Sequence, residues 1–246
     1  MKKRILILIS IAGIILFAYL NRSYAHIYQT IEKAQLTSSD QKQTYIIGNT
    51  SSQSLTYVAI GDSLTAGVGV DSYANSYPYQ FAQKISQKGT QVILKTEAVP
   101  GARSTDIVHN FLDSTIEKKP DVVTLLVGIN DVHGNISKTE FKNNYETILK
   151  KLTQETKADI YSVAIPYIGA PQVIQFPYTY YFDLRTREFN TIIQELDETY
   201  NVKYVDLYTQ TLAPSAQDSY YASDLFHPSQ VGYTLWADIL YASFNQ

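Results

Sequence analysis

The sequence predicts one α/β domain, a mostly parallel five-stranded sheet with helices on both faces, set behind an apolar leader. Two observations carry that prediction. From Leu55 onward, short apolar, β-branched runs alternate with stretches of helical spacing 10–18 residues long, and such alternation gives right-handed βαβ units. The composition can also fill a core: 246 residues are 45% hydrophobic and include 21 Tyr and 9 Phe. The absence of Cys excludes a disulfide framework, a thiolate nucleophile and Cys-ligated metal.

Met1-Lys2-Lys3-Arg4 precedes an apolar run from Ile5 to Leu20. Three cations before an uncharged run are the features of an export segment and hold the N-terminus inside. Residues 1–25 are therefore read as a signal anchor or a signal peptide. Retention is favoured, and Ser23 and Ala25 offer a cleavage position after Ala25. Either outcome places the rest of the chain outside the cytoplasmic membrane, bound to it through the leader if that is uncleaved and secreted otherwise. Residues 26–54 carry a possible short helix at 25–35 and then turn rich in Ser, Thr, Gln and Asn, the composition of a mobile spacer.

Residues 55–246 form the domain. Strands are expected at 55–60, 91–96, 121–127, 159–165 and 202–207, the third being the clearest buried run. Helices are expected at 77–88, at 104–117 capped by Ser104, at 139–153, at 183–200, and from Pro228 to the end. This part carries a formal charge of −7 against +4 for residues 1–54. So acidic a domain does not hold a phosphate backbone by bulk electrostatics, and nucleic acid is not an expected partner.

In a parallel sheet the reactive groups gather beyond the carboxyl ends of the strands. Four polar clusters fall at such places or just before the last helix. Gly61-Asp62-Ser63-Leu64 ends the first strand, where Ser63 is expected beside a helix N-terminus. Position 65 is Thr, so the Gly-x-Ser-x-Gly elbow of another hydrolase class is absent. Gly101 follows the second strand and can offer its backbone N–H with no side chain in the way. Asn130, in Gly128-Ile129-Asn130-Asp131, can aim an uncharged amide at an anionic oxygen. In Asp224-Leu225-Phe226-His227, a spacing of three can bring the carboxylate to one imidazole nitrogen and leave the other as a base. Taken singly, each has a plain alternative: a helix cap, a loop glycine, a turn asparagine, or a metal pair that lacks a third ligand.

In this order and together, the four blocks resemble the GDSL, or SGNH, hydrolases across roughly residues 55–243. Block two departs from the usual pattern, since Ala98 and Pro100 precede Gly101 where polar residues are more common. The resemblance implies a flavodoxin-like three-layer α/β/α sandwich and serine-dependent hydrolysis of esters, without metal or organic cofactor. It also implies Ser63 as nucleophile, His227 as general base and then acid, and Asp224 as the group orienting His227. The oxyanion hole would be the N–H groups of Ser63 and Gly101 with the Asn130 side chain. Asp62 and Asp131 are read as holding the loops that present Ser63 and Asn130, and a minor role at the substrate is kept for His133.

The segment from Pro166 to Phe182, with Tyr167, Tyr178, Tyr180 and Tyr181, is long for a connection and is read as a lid or acyl-binding wall. Tyr73 to Tyr77 is a second candidate wall. The expected function is an extracytoplasmic ester hydrolase acting on lipid acyl esters or O-acetyl groups of envelope glycans. The alternatives are a catalytically idle envelope-binding module and a metal-dependent phosphoesterase.

Overall fold

A computed structural model describes residues 2–35, 41, 43–49, 54–167, 169, 170 and 172–245. In chain order the elements begin with α1 (Lys2–Gln35), β1 (Thr44–Ile47), β2 (Ser54–Gly61), α2 (Tyr77–Ser86) and β3 (Gln91–Ala98). Next come α3 (Ser104–Asp106), a π turn (Ile107–Phe111), α4 (Leu112–Glu117), β4 (Val122–Leu126) and α5 (Ile129–His133). The chain ends with α6 (Lys138–Glu155), β5 (Asp159–Val163), α7 (Tyr178–Tyr200), β6 (Lys203–Val205), α8 (Leu207–Thr211) and α9 (Gln230–Phe244).

The sheet runs β1-β3-β2-β4-β5-β6, parallel throughout except for β1, which pairs antiparallel to β3. Helices α2 and α9 pack together on one face, and α6 packs with α4 and α7 on the other, giving three layers. The five parallel strands have the flavodoxin-like order, so the strand order reverses between β2 and its neighbours. All five residues of β4 are buried because both faces of this central strand are covered.

The structure corrects the expected elements in five places, the first being the strand expected at 202–207, which spans only Lys203–Val205 because Asp206 already caps α8. Among the described residues the sheet has six strands: Thr44–Ile47 lies in the segment expected to be a mobile spacer, yet it pairs with Val92–Lys95 and buries Ile47. Residues 36–40, 42 and 50–53 of that spacer lie outside the described residues. The expected helix at 104–117 is interrupted by the π turn, and its N-cap is Arg103, with Ser104 already helical. Helix α7 begins at Tyr178 rather than 183 and ends where Asn201 takes a left-handed conformation, φ 54°. Finally, α9 begins at Gln230: Pro228 forms a bridge with Tyr221, and the Ser229 side chain caps the helix by accepting from Val231 and Gly232 N–H.

Helix α1 is a single 34-residue helix that absorbs the short helix expected at 25–35. Residues 5–17 present their large apolar side chains to the outside, whereas Ser23 and Ile27 are buried against the domain.

Candidate active site

Strand β2 ends at Gly61, where a side chain would collide with the Leu126 carbonyl oxygen and with Thr65 Oγ1. Only glycine lets the chain leave the sheet this tightly. The helix N-terminus expected beside Ser63 is not there. Instead the chain closes successive turns, with Ala66 N–H donating to the Asp62 carbonyl at 2.9 Å and Val68 N–H to the Ser63 carbonyl at 3.0 Å. Tyr233 on α9 pins this turn by donating to the Val68 carbonyl at 2.7 Å.

The segment 220–229 doubles back on itself beneath that turn. Ala222 N–H donates to the His227 carbonyl at 2.8 Å and Ser229 N–H to the Tyr220 carbonyl at 2.9 Å. Leu225 turns the chain at φ 55°. The turn wraps Asp224, whose Oδ1 accepts from the N–H groups of Phe226 at 2.8 Å and His227 at 2.9 Å. Its other oxygen, Oδ2, lies 2.9 Å from His227 Nδ1, and His227 Nε2 lies 2.9 Å from Ser63 Oγ. The structure thus brings together Ser63, His227 and Asp224, with 164 positions separating the serine from the histidine. Ser63 is nearly buried and the His227 side chain fully so. Burial raises the Asp224 pKa, but the His227 hydrogen bond and charge and the two backbone donors outweigh it. The net effect holds this carboxyl below its ordinary value.

Gly101 and Asn130 stand beyond the carboxyl ends of β3 and β4. They line one cavity of about 310 Å³ with Arg103 and His133, and Ser63, His227 and Asp224 are not among its lining residues. Asn130 Nδ2 donates to the Ala102 carbonyl at 3.0 Å and reaches Asp62 Oδ2 at 3.4 Å. Asp62 also accepts from Leu64 N–H at 3.0 Å, and Asp131 accepts from Ser104 Oγ at 2.5 Å and from Ser104 N–H. The two aspartates therefore tie together the three loops that carry Ser63, Gly101 and Asn130. Burial pushes Asp62 up to about 7, with the charge of Asp131 adding to it, and pushes Asp131 up to about 6.

His133 packs edge-on against Phe182, with ring centroids 4.7 Å apart, and beside Phe226. Its Nδ1 has no hydrogen-bond partner among the described residues, and burial lowers its pKa to about 3, so the ring is neutral.

The two walls expected from the aromatic segments fare differently. Tyr73 and Tyr77 are core residues: both are fully buried, and their hydroxyls bond to Thr65, Tyr73 to the carbonyl and Tyr77 to Oγ1. Part of the other segment bounds a cavity of about 650 Å³ lined by Tyr167, Tyr180, Asp183 and Tyr221 among others, but Ser63, His227 and Asp224 do not line it. Sequence reasoning missed Tyr28 and Glu32. Both line the cavity of Gly101 and Asn130, and the Tyr28 hydroxyl donates to the His133 carbonyl. The available signal was Tyr24 and Tyr28 at helical spacing just after the apolar run.

The profile of the family described as GDSL-like Lipase/Acylhydrolase matches residues 59–235. Spore germination lipase LipC of Bacillus licheniformis is 24% identical over 209 residues, 77% of this chain and 96% of that protein. A crystal structure of a lipase/acylhydrolase from Enterococcus faecalis superposes with a TM-score of 0.64 at 25% identity, covering 77% of this chain and 95% of that one. The acetylxylan esterase Axe2 from Geobacillus stearothermophilus shares the fold, with a TM-score of 0.59 at 19% identity over 78% of this chain and 94% of its own.

Proposed function

This chain belongs to the GDSL-like lipase/acylhydrolase family, and from that premise we propose that it is a serine ester hydrolase working through Ser63, His227 and Asp224. Family membership supports serine-dependent ester hydrolysis in general terms; the assignment of steps to residues is our own. The observation that carries it is the Ser63–His227–Asp224 relay, with both side-chain contacts at 2.9 Å.

In the proposed mechanism Ser63 Oγ attacks the acyl carbon while His227 Nε2 takes its proton, because a serine hydroxyl is a weak nucleophile until a base removes that proton. Asp224, kept ionised by its donors, holds Nδ1–H and stabilises the imidazolium that forms. The negative charge that develops on the carbonyl oxygen is met by the Ser63 and Gly101 N–H groups and by Asn130. The long 3.4 Å reach of Asn130 to Asp62 is the contact an oxyanion would replace. The imidazolium then protonates the departing alcohol. Water, activated in the same way, releases the acid and restores Ser63.

We further propose that α1 is retained as a single-pass anchor with its N-terminus inside. Among the described residues one helix is long and apolar enough to cross a membrane, within Lys2–Thr30, at a mean hydropathy of 2.1. Ser23 and Ala25, the small residues of the possible cleavage position, are helical, and Ser23 is packed against the domain.

Ser63→Ala is expected to abolish turnover of a short-chain chromogenic ester, a loss of about 10⁴-fold or more, with the melting temperature kept. Retained turnover removes the serine mechanism, and turnover lost on adding chelator to the unaltered chain favours the metal phosphoesterase.

A further inference from the structure

Helix α1 passes without a break from the apolar run into the wall of the candidate site. Ile5 to Leu20 would cross ~24 Å of hydrocarbon at about 1.5 Å per residue, and Tyr28 lies only ~12 Å further along the axis. The exposed Arg22 sits two residues past Leu20, where a cation reaches the headgroups. The helix is fixed to the domain at this level. Tyr19 donates to the Phe176 carbonyl at 2.9 Å, Tyr178 donates to the Leu20 carbonyl at 3.2 Å, and Tyr24 packs on both Tyr28 and Tyr178. The domain surface held at that depth is aromatic and open: Phe176 is 74% exposed, Tyr180 63% and Tyr181 40%. Exposed aromatic rings beside a spanning helix are the composition of a membrane interface.

Two cavities share a wall there. The one holding Gly101 and Asn130 has His133 in its wall, and His133 is also in the wall of a second, of about 450 Å³. That second cavity lies between α1 and α7, bounded by Phe17, Leu20 and Tyr24 on one side and by Tyr178 and Phe182 on the other. Phe17 and Leu20 belong to the apolar run itself, so this cavity opens at the edge of the hydrocarbon. Asn21, Asn135 and Tyr181 also line it, but Asn21 donates to the Phe17 carbonyl and Tyr181 to Asn135 Oδ1, so the face left to a ligand is mainly apolar and suits an acyl chain.

Resting on the ester-hydrolase reading, we infer that the substrate is an acyl ester resident in the bilayer that α1 enters, with its chain passing between α1 and α7 to reach Ser63. Hydrolysis then adds water across the ester, frees the fatty acid and leaves the alcohol on the remainder of the lipid. The helix serves as an anchor and as one wall of the acyl passage.

The test uses the full chain reconstituted into phosphatidylcholine–phosphatidylglycerol vesicles that contain a fluorogenic long-chain acyl ester. Rates are compared with the same ester in added protein-free vesicles, with a soluble O-acetylated oligosaccharide, and with a short-chain chromogenic ester in detergent micelles. The expected result is turnover at least tenfold faster for the ester in the protein's own bilayer than in separate vesicles. Asn21→Trp, which fills the cavity beside Leu20, is expected to lower the ratio of bilayer to short-chain rates at least tenfold. The inference is overturned if the short-chain ester is turned over while own-bilayer and separate-vesicle rates match. It is equally overturned if the acetylated sugar is the better substrate, or if Asn21→Trp leaves the ratio unchanged. Turnover of no ester at all removes the hydrolase reading and the inference with it.

Discussion

Asp224 accepts two backbone hydrogen bonds at one oxygen and faces the imidazole with the other, so its replacement separates charge from shape. In Asp224→Asn the amide can donate to Nδ1, which favours the tautomer with its proton on Nε2, where it cannot accept from Ser63. Steady-state kinetics on a short-chain ester should show kcat falling by about 10⁴ with KM little changed; a loss below tenfold would mean that Asp224 does not set the tautomer. Asn130→Ala should cost about 10²–10³ in kcat by removing one donor from the developing oxyanion. The residue types at these positions were legible in the sequence because each block ends a recognisable strand or precedes the last helix. The Asn130 amide's bonds to Ala102 and Asp62 were not, since they depend on how three loops meet. Nor was the state of His133: its neighbours Phe182 and Phe226 are distant in sequence, and burial alone makes it neutral.

The turn after β2 and the hairpin before α9 are two elements held in one geometry by close backbone approach. Gly69, at φ +101°, lies where a side chain would come within 2.6 Å of the Pro228 carbonyl oxygen and 2.9 Å of His227 Cβ. Gly69→Ala should therefore lower the melting temperature and displace His227 from Ser63, so that kcat falls along with stability. Unchanged kcat and melting temperature would show that the two elements are not so tightly coupled. Trp236 ties α9 to the same hairpin, its indole N–H donating to Tyr220 at 2.8 Å. Its truncation, Trp236→Ala, should cost about 3–5 kcal/mol in denaturant unfolding. Four of the five parallel strands were readable as compact apolar runs, whereas β6 is only Lys203–Val205 and the apolar Leu207 that extended its expected range belongs to α8. Strand β1 escaped notice because Thr44–Ile47 is only four residues long and is set among polar ones; its pairing is supplied by the open edge of β3. The first turn of α7 is hard to read from sequence because its aromatic residues continue the long Pro- and Tyr-containing connection before it, which hides where the helix begins.

At the scale of the whole molecule, buried ionisable groups set the response to pH. Burial raises Asp62 and Asp197 to about 7 and Asp131 to about 6, while the unfolded chain ionises these groups near about 4. Between those values the native state holds more protons, so these three groups reduce stability as pH rises from about 4 to 7. His133 acts in the opposite direction: the unfolded chain takes a proton near 6.5 and the native ring only near 3, so its contribution is lost on acidification through that window. At Asp197 burial dominates, and the Ser162 hydroxyl offsets only part of it. Asp197→Asn should raise the melting temperature at pH 8 more than at pH 5; an equal effect at both would show that Asp197 titrates normally. The layered domain was legible from alternation and composition, whereas the docking of α1 beside the site was not, because polarity alone made residues 26–54 read as a tether. The central claim is that Ser63 is the activated nucleophile, and peptide mapping after reaction with an organophosphorus fluoridate tests it most directly. The expected result is one adduct per chain, on the peptide containing Ser63, formed in step with loss of activity and greatly slowed in His227→Ala. Modification elsewhere, or full activity with Ser63 labelled, would contradict that claim.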